Sequence, residues 1–508
     1  MPTVAAPSTL SWQQEVGLGL LGLCGTGALW LTLSRHGVGL SPDSVSYLAV
    51  AQHILEGAGL TSYHGEPLVS QPPLYPFVLA GLMRLFNLDG VAAALFLNLM
   101  LYAAVIYLAG TASFSVTNSF GLSILTCLSV IASVPIFWVS VFAWSELLFI
   151  FLLMIHLNLI NNFAINRKAK YLFLSAIITG CSCLTRYAGV TVIISSIILL
   201  LLLHIKNLKV GFARCCIFFL VSSLPIGLWI IRNYVVSGTF LGPRMASVLT
   251  PHQVLILFGD VLLDCFFYPS AKLSKVTWII FSSLVLTAFF FFLGAYLYQS
   301  LQKKMFELTY TPIFIIVYST FIILSAVCVL YDPIDHRLLS PIFIPLVIAV
   351  LCFFSQFLHF SVRKESPRHY RRFPVVFGLI IWFAYPAVAT TTLAIEAHHN
   401  GQGYQAVHWR RSETIQYIRQ HQAYFARQPI YTNDPEGLYF LVHIQARHLP
   451  FQVRSSWPES GQAYLVRFKH AYLGESLNRV EQLKSVAEIT SLVKLADGEI
   501  YFVKRRNP

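Results

Sequence analysis

The sequence predicts an all-α polytopic membrane protein with a small C-terminal extracytoplasmic α/β domain, and three observations predict it. Of 508 residues, 56% are hydrophobic and only 11% charged, which excludes an ordinary soluble chain. Apolar windows recur at 16–34, 91–110, 118–134, 144–161, 171–186, 189–204, 212–231, 277–298, 310–330, 338–359 and 374–394, or about 11 transmembrane helices of roughly 20 residues each. After Thr392 the composition becomes that of a soluble protein. The expected domains are therefore 1–394 in the membrane, with outer loops at 35–90 and 232–276, and 395–508 outside it.

The first outer loop has its own helix signals. Ser41 is a good N-cap, Pro42 suits the first helical position and Asp43 falls in the first turn. A helix from there to Glu56 would be closed by Gly57 or Gly59. Val45, Leu48, Gln52 and Leu55 share one face, and the helix is too short to cross a bilayer, so it reads as interfacial. Gln71-Pro72-Pro73-Leu74-Tyr75-Pro76 is a rigid turn, and 74–85, interrupted by Arg84, reads as a second surface or re-entrant helix. In the tail, 412–421 and 436–442 read as helices and 429–432, 463–468 and 499–504 as strands.

The net charge of +13 would suggest nucleic acid as a partner of a soluble protein. Here the cations gather in loops: Arg167, Lys168 and Lys170; Lys206, Lys209 and Arg214; Lys303 and Lys304; Arg363, Lys364, Arg368, Arg371 and Arg372. These loops fall on one side of the predicted spans, the positive-inside mark of cytoplasm, and nucleic acid is not expected as a partner. The expectation is a multi-pass protein of the inner (plasma) membrane, among membrane lipids, with the Asp43 region and the C-terminal domain extracytoplasmic. The nine cysteines lie almost entirely in apolar segments, so no disulfide framework follows.

Ionisable residues accumulate at the outer helix ends: Asp43, Glu146, Arg186, Arg232, Arg244, Asp332, Asp335, His336 and Arg337. Each has a plain structural reading. A lone arginine at a helix end snorkels to headgroups, Glu146 in a first turn complements the helix dipole, and Asp335 can cap a turn. As a set they imply more, because charge at membrane depth is costly and usually pairs or binds something. Acids can hold a metal or take a proton, and arginines hold phosphate. The chain has no phosphate-binding glycine loop, G-x-S-x-G or HExxH, and His398-His399 with His408 lacks ligand spacing.

Several fragments, in order along the chain, resemble one family. They are Asp43-Ser44-Val45-Ser46-Tyr47, Gln71-Pro72-Pro73-Leu74-Tyr75-Pro76, Ser145-Glu146, Leu184-Thr185-Arg186-Tyr187-Ala188-Gly189, Ile231-Arg232-Asn233-Tyr234, His336-Arg337-Leu338-Leu339 and Tyr431-Thr432-Asn433-Asp434-Pro435-Glu436-Gly437. The chain resembles the GT-C glycosyltransferases, in the branch of protein O-mannosyltransferases, lipid A aminoarabinose transferases and RgtA/B/C/D-like bacterial proteins. The resemblance implies a GT-C-like fold and a hexosyl or pentosyl transfer from a polyprenyl-phosphate-linked donor to a lipid, glycan or protein acceptor on the extracytoplasmic face. It implies Asp43 as base or metal ligand, Glu146 as the second acid, and a divalent cation (Mg or Mn) shared between them. Arg337, Arg186, Arg232 and Arg244 would hold the donor phosphate, while Tyr47, Tyr75, Tyr187 and His336 would line the substrate site. The first site has a single acid where the best-known mannosyltransferases have an adjacent Asp-Glu pair. A carboxylate at a helix N-terminus is stabilised in its ionised form, which weakens it as a base and favours a positioning or metal role. The rival expectation is a polytopic transporter or lipid-carrier flippase without transferase activity; its signature, internal repeats with midplane charges, is not evident here.

Overall fold

The computed structural model describes residues 10–265, 275–303, 305–330, 333–362, 372–449, 457–472 and 480–506. Asp332, Lys304, Arg363, Lys364, Arg368 and Arg371, named above, lie outside the described residues. The chain forms two compact units, one of residues 1–32, 68–78 and 96–395, the other of 33–67, 79–95 and 396–508.

Helices α1 (Trp12–Leu33), α2 (Pro42–Leu55), α3 (Leu74–Phe86) and α4 (Gly90–Thr117) come first, then α5 (Phe120–Ile131), α6 (Val134–Val141), α7 (Glu146–Asn166) and α8 (Ala169–Thr185). A 3-10 turn, Tyr187–Gly189, leads into α9 (Val190–Leu203), followed by α10 (Leu208–Ser237), α11 (Pro251–Asp264), α12 (Lys275–Gln302), α13 (Phe306–Cys328), α14 (His336–Val362) and α15 (Arg372–Asn400). Every apolar window coincides with a helix or a bent pair. Among the described residues seven helices are long and apolar enough to cross a membrane, or eight if α5 and α6, bent by 54°, form one span. The windows at 171–186 and 189–204 give helices of 17 and 14 residues, short of a perpendicular crossing at about 1.5 Å per residue.

The segment expected as the outer loop 232–276 carries helical structure. Its first residues extend α10 to Ser237, and α11 occupies Pro251–Asp264. Thr250 and Gln253 close a reciprocal capping box, Pro251 fills the first turn, and Val254, Phe258, Val261 and Leu262 give the helix a buried face.

In the first unit α7 packs on α8 and α13, α8 on α10, and α14 on α6, α7 and α13. Phe149, Phe163, Phe218, Tyr310 and Phe314 are fully buried between them. The bend between α5 and α6 leaves the Ala132 carbonyl outside a helical ladder, where Thr390 Oγ1 donates to it at 2.7 Å. Such outside help is what apolar surroundings demand of a broken helix.

The second unit carries a five-stranded sheet: β1 (Ile430–Thr432), β2 (Arg447–His448), β3 (Gln462–Phe468), β4 (Ala487–Lys494) and β5 (Gly498–Arg505), in the order β2-β1-β3-β5-β4. β1 runs parallel to β2 and β3, while β3, β5 and β4 are antiparallel. Three strands match the expected ones; β2 and β4 are additional. Helices Glu413–Gln420 and Pro435–Val442 fall where the sequence reading puts them. In this unit α2 starts as expected, with Ser41 Oγ accepting from the Ser44 amide at 3.4 Å and Gly57 just past its end at φ +79°. Gly403, at φ +57°, lets its backbone pair with Leu40: a β-carbon there would sit 1.9 Å from the Leu40 carbonyl oxygen.

Buried acids anchor α2's loop to the sheet domain inside this unit. Asp434 caps the Pro435–Val442 helix by accepting from the Gly437 amide at 3.1 Å, and also accepts from Tyr404 Oη at 2.5 Å and the Tyr472 amide at 2.8 Å. Glu436 accepts from Tyr63 Oη at 2.7 Å and pairs with His448 Nε2 at 3.4 Å. Burial raises the Asp434 carboxyl to about 6, with its hydrogen bonds only partly offsetting the desolvation. At Glu436 burial also raises, but the His448 and Tyr63 contacts outweigh it and hold the carboxyl below its usual value.

The sign for Asp434 follows from linkage. Its folded value lies above the unfolded 3.8, so the folded state binds the extra proton between about 4 and 6 and stability falls as pH rises through that window. Hydrogen exchange of amides 430–442, corrected for intrinsic rate, should therefore show protection decreasing from pH 4.5 to 6.5 (roughly 2 kcal/mol from a shift of this size). Asp434→Asn should flatten that slope while keeping the Tyr404 contact, and a slope unchanged in the variant would remove Asp434 as its source.

Candidate active site

The site in the first unit is built where α6 breaks and α7 begins. Phe142-Ala143-Trp144-Ser145 bridges the two helices, and Glu146 opens α7. A carboxylate in that first turn is favoured by the helix dipole. Its side chain is 0% exposed, so it needs a countercharge, and two arginines supply one. Arg186, from the end of α8, and Arg337, from the first turn of α14, both bind Glu146 Oε1 in ion pairs. Arg186 also donates to Ser145 Oγ at 3.3 Å, and the Arg337 guanidinium lies 4.3 Å from the centre of the Trp144 ring.

The guanidiniums are in front and the carboxylate behind. Arg186 and Arg337 side chains keep 17% and 14% of their exposure while Glu146 has none. Two guanidiniums brought together in a place of low dielectric form a surface suited to an anion, such as a phosphate. Glu146 Oε1 is engaged by both of them. Among the described residues no group of three His, Cys, Asp or Glu side chains could hold a metal ion.

A second cluster engages other expected site residues. Arg232 donates to the Leu68 carbonyl, Tyr187 Oη to the Val69 carbonyl at 2.9 Å, Asn233 Nδ2 to the same carbonyl at 3.3 Å, and Arg244 to the Ser70 carbonyl at 3.1 Å. Trp229 Nε1 donates to Tyr187 Oη at 3.1 Å and its ring lies 4.8 Å from the Arg232 guanidinium. Three successive carbonyls of an irregular segment are thus held from three directions, just before Gln71-Pro72-Pro73. Arg186 and Tyr187 are consecutive, so one turn serves both clusters.

The remaining expected residues are placed as follows. Tyr75 is fully buried in the first turn of α3. His336 begins α14, with Cys265 Sγ 3.7 Å from its Nδ1, and Asp335 Oδ1 accepts from the Leu338 amide at 3.0 Å as a helix cap. Asp43 and the buried Tyr47 stand in the first turns of α2, in the second unit. Asn98, Trp144, Trp229 and Asn233 were not among the expected site residues, although Trp144 and Asn233 flank expected ones.

No protein-family model matches the sequence, and no curated protein matches it. Solved structures do. ArnT from Cupriavidus metallidurans in the apo state superposes with a TM-score of 0.55 at 14% identity, covering 96% of this chain and 98% of that one. The same protein bound to undecaprenyl phosphate gives 0.54 at 13%, covering 97% and 98%. The chain has a GT-C fold. The archaeal oligosaccharyltransferase AglB from Archaeoglobus fulgidus, solved with an inhibitory peptide and a dolichol-phosphate, gives 0.54 at 12%, covering 95% of this chain and 73% of that one. The likeness is one of fold, spread over nearly the whole length of the polypeptide, and it agrees with a multi-pass membrane protein.

Proposed function

We propose that this GT-C protein is a membrane glycosyltransferase that moves one sugar from a polyprenyl-phosphate-linked donor to a lipid, glycan or protein acceptor on the extracytoplasmic face. The observation that carries the reading is the buried carboxylate behind two guanidiniums at the α6–α7 break. A guanidinium presents five N–H donors in a planar fork that matches phosphate oxygens as well as a carboxylate. Glu146 fixes the two forks and lowers their mutual repulsion. The neighbouring fold with undecaprenyl phosphate in its crystal supports a lipid phosphate as the anion.

The helix ends support that sidedness. α7 starts at Glu146 and ends beside Arg167 and Lys168, and α8 starts beside Lys170 and ends at Arg186. Placing the basic ends in the cytoplasm puts Glu146 and Arg186 at the opposite surface. In the transfer itself, the acceptor oxygen bonds to the anomeric carbon as the carbon–phosphate-oxygen bond breaks. The leaving phosphate stays on Arg186 and Arg337, and the acceptor proton passes to a general base, the role for which the family resemblance names Asp43. In-line displacement inverts the anomeric centre.

Incubating the purified full chain with a panel of polyprenyl-phosphate sugars and following donor consumption by mass spectrometry tests this reading. Donor loss with free polyprenyl phosphate as product, abolished in Arg337→Ala, is the expected result. Vesicle uptake or lipid scrambling by the protein with every donor left intact would replace the transferase by a transporter or flippase.

A further inference from the structure

We infer that Asn98, an amide on α4, is a positioning residue of the anion site, an inference that rests on the reading of that site given above. The last carbonyls of α6 have no helical partner once the chain breaks after Val141, so another group must satisfy them. Asn98 Nδ2 supplies what is missing: it donates to the Ser140 carbonyl at 2.9 Å and to the Phe142 carbonyl at 2.7 Å. The Phe142 carbonyl also accepts from the Trp144 amide at 2.9 Å, closing a tight turn. Asn98 itself is 0% exposed, and a buried amide is costly unless hydrogen-bonded, so these two donations by Nδ2 carry its place in the fold.

The consequence reaches α14. With its backbone so held, Phe142 stacks on Trp144 with ring centres 4.3 Å apart and planes within 9°. The Arg337 guanidinium packs over the same Trp144 ring, 4.3 Å from its centre. One amide on α4 thus sets the orientation of a cation on α14 through two aromatic rings and a turn. Glu146, four residues after Phe142, is delivered to the same place by the same turn. A residue that merely ended α6 would affect stability alone; a positioning residue must move Trp144 and the anion affinity together.

Both readouts are measurable on the full chain in nanodiscs. Biosynthetic 5-fluorotryptophan gives a fluorine resonance for Trp144, identified by its loss in Trp144→Phe, and undecaprenyl phosphate serves as the anionic probe. Asn98→Leu should shift the Trp144 resonance, as Arg337→Ala does, and weaken binding of the probe about tenfold or more, the scale of one lost buried hydrogen bond. Thr179→Val, which removes a buried hydroxyl bound to His156 elsewhere in the unit, should change neither. If Asn98→Leu does not fold, Asn98→Gln takes its place, with smaller shifts in both readouts expected. A Trp144 resonance that stays put in the Asn98 variant overturns the inference, and so does a shifted resonance with unchanged affinity. If the wild type does not bind the probe, the donor reading falls, and the fluorine shift alone decides the brace.

Discussion

Glu146→Gln should destabilise the protein by about 3 kcal/mol and abolish donor consumption, because it withdraws a fully buried anion shared by two partly exposed guanidiniums. The substitution keeps side-chain size, so loss of packing contributes little. What changes is charge: an amide offers one carbonyl oxygen and two N–H donors, and those donors face cations. Arg186 and Arg337 then repel each other across a space where water screens poorly. Thermal unfolding of the purified chain in one detergent reads the stability, and the donor assay reads the activity.

A cycle separates cause from disruption. Removing one cation as well, in Glu146→Gln with Arg186→Met, should recover most of the stability but none of the activity, an interaction energy well outside simple additivity. If Glu146→Gln unfolds at the wild-type temperature, the carboxylate is not what holds the arginines. Glu146→Asp is the graded member of the series: it keeps the charge, shortens the reach by one methylene, and should weaken rather than remove the site.

Why some of this was legible in the sequence and some was not comes down to range. Ser41, Pro42 and Gly57 act within four residues of α2's ends, so local pattern alone placed that helix. Thr250 and Gln253 are an equally local signal, and they cap α11. Charge beside an apolar window marked Glu146, Arg186 and Arg337 individually, since burying charge is costly wherever it occurs. Their meeting was not local: Glu146 and Arg337 are 191 residues apart, and no spacing rule joins them. Asn98 gave less still. One amide in an apolar window is compatible with many roles until the carbonyls it serves, 42 and 44 residues on, are in view. For Arg232 and Arg244 the charge was legible but the target was not, because backbone carbonyls at 68 and 70 leave no mark in sequence. β4 escaped for a different reason: much of it is exposed, so it lacks the apolar alternation that marks a half-buried strand.

Asp43→Asn is expected to cut turnover by about 10²–10⁴-fold, the usual contribution of a positioned general base, while undecaprenyl phosphate binds as tightly as in the wild type. The reasoning starts from α2. Ser41 caps the helix and Pro42 sets its first turn, so neither depends on the carboxylate of Asp43, and the variant should keep the fold. Asparagine has the same shape and still accepts a hydrogen bond, but it cannot take a proton from an acceptor hydroxyl. Loss confined to kcat, with the phosphate affinity unchanged, assigns the base to Asp43 and the anion to the arginines. Asp43→Glu moves the carboxylate by about 1.5 Å, a misplacement that costs catalysis steeply, so it should retain only a trace of activity. Near-normal turnover in Asp43→Asn would leave the leaving group's departure, assisted by Arg186 and Arg337, as the chemistry this protein controls, with the acceptor deprotonated elsewhere.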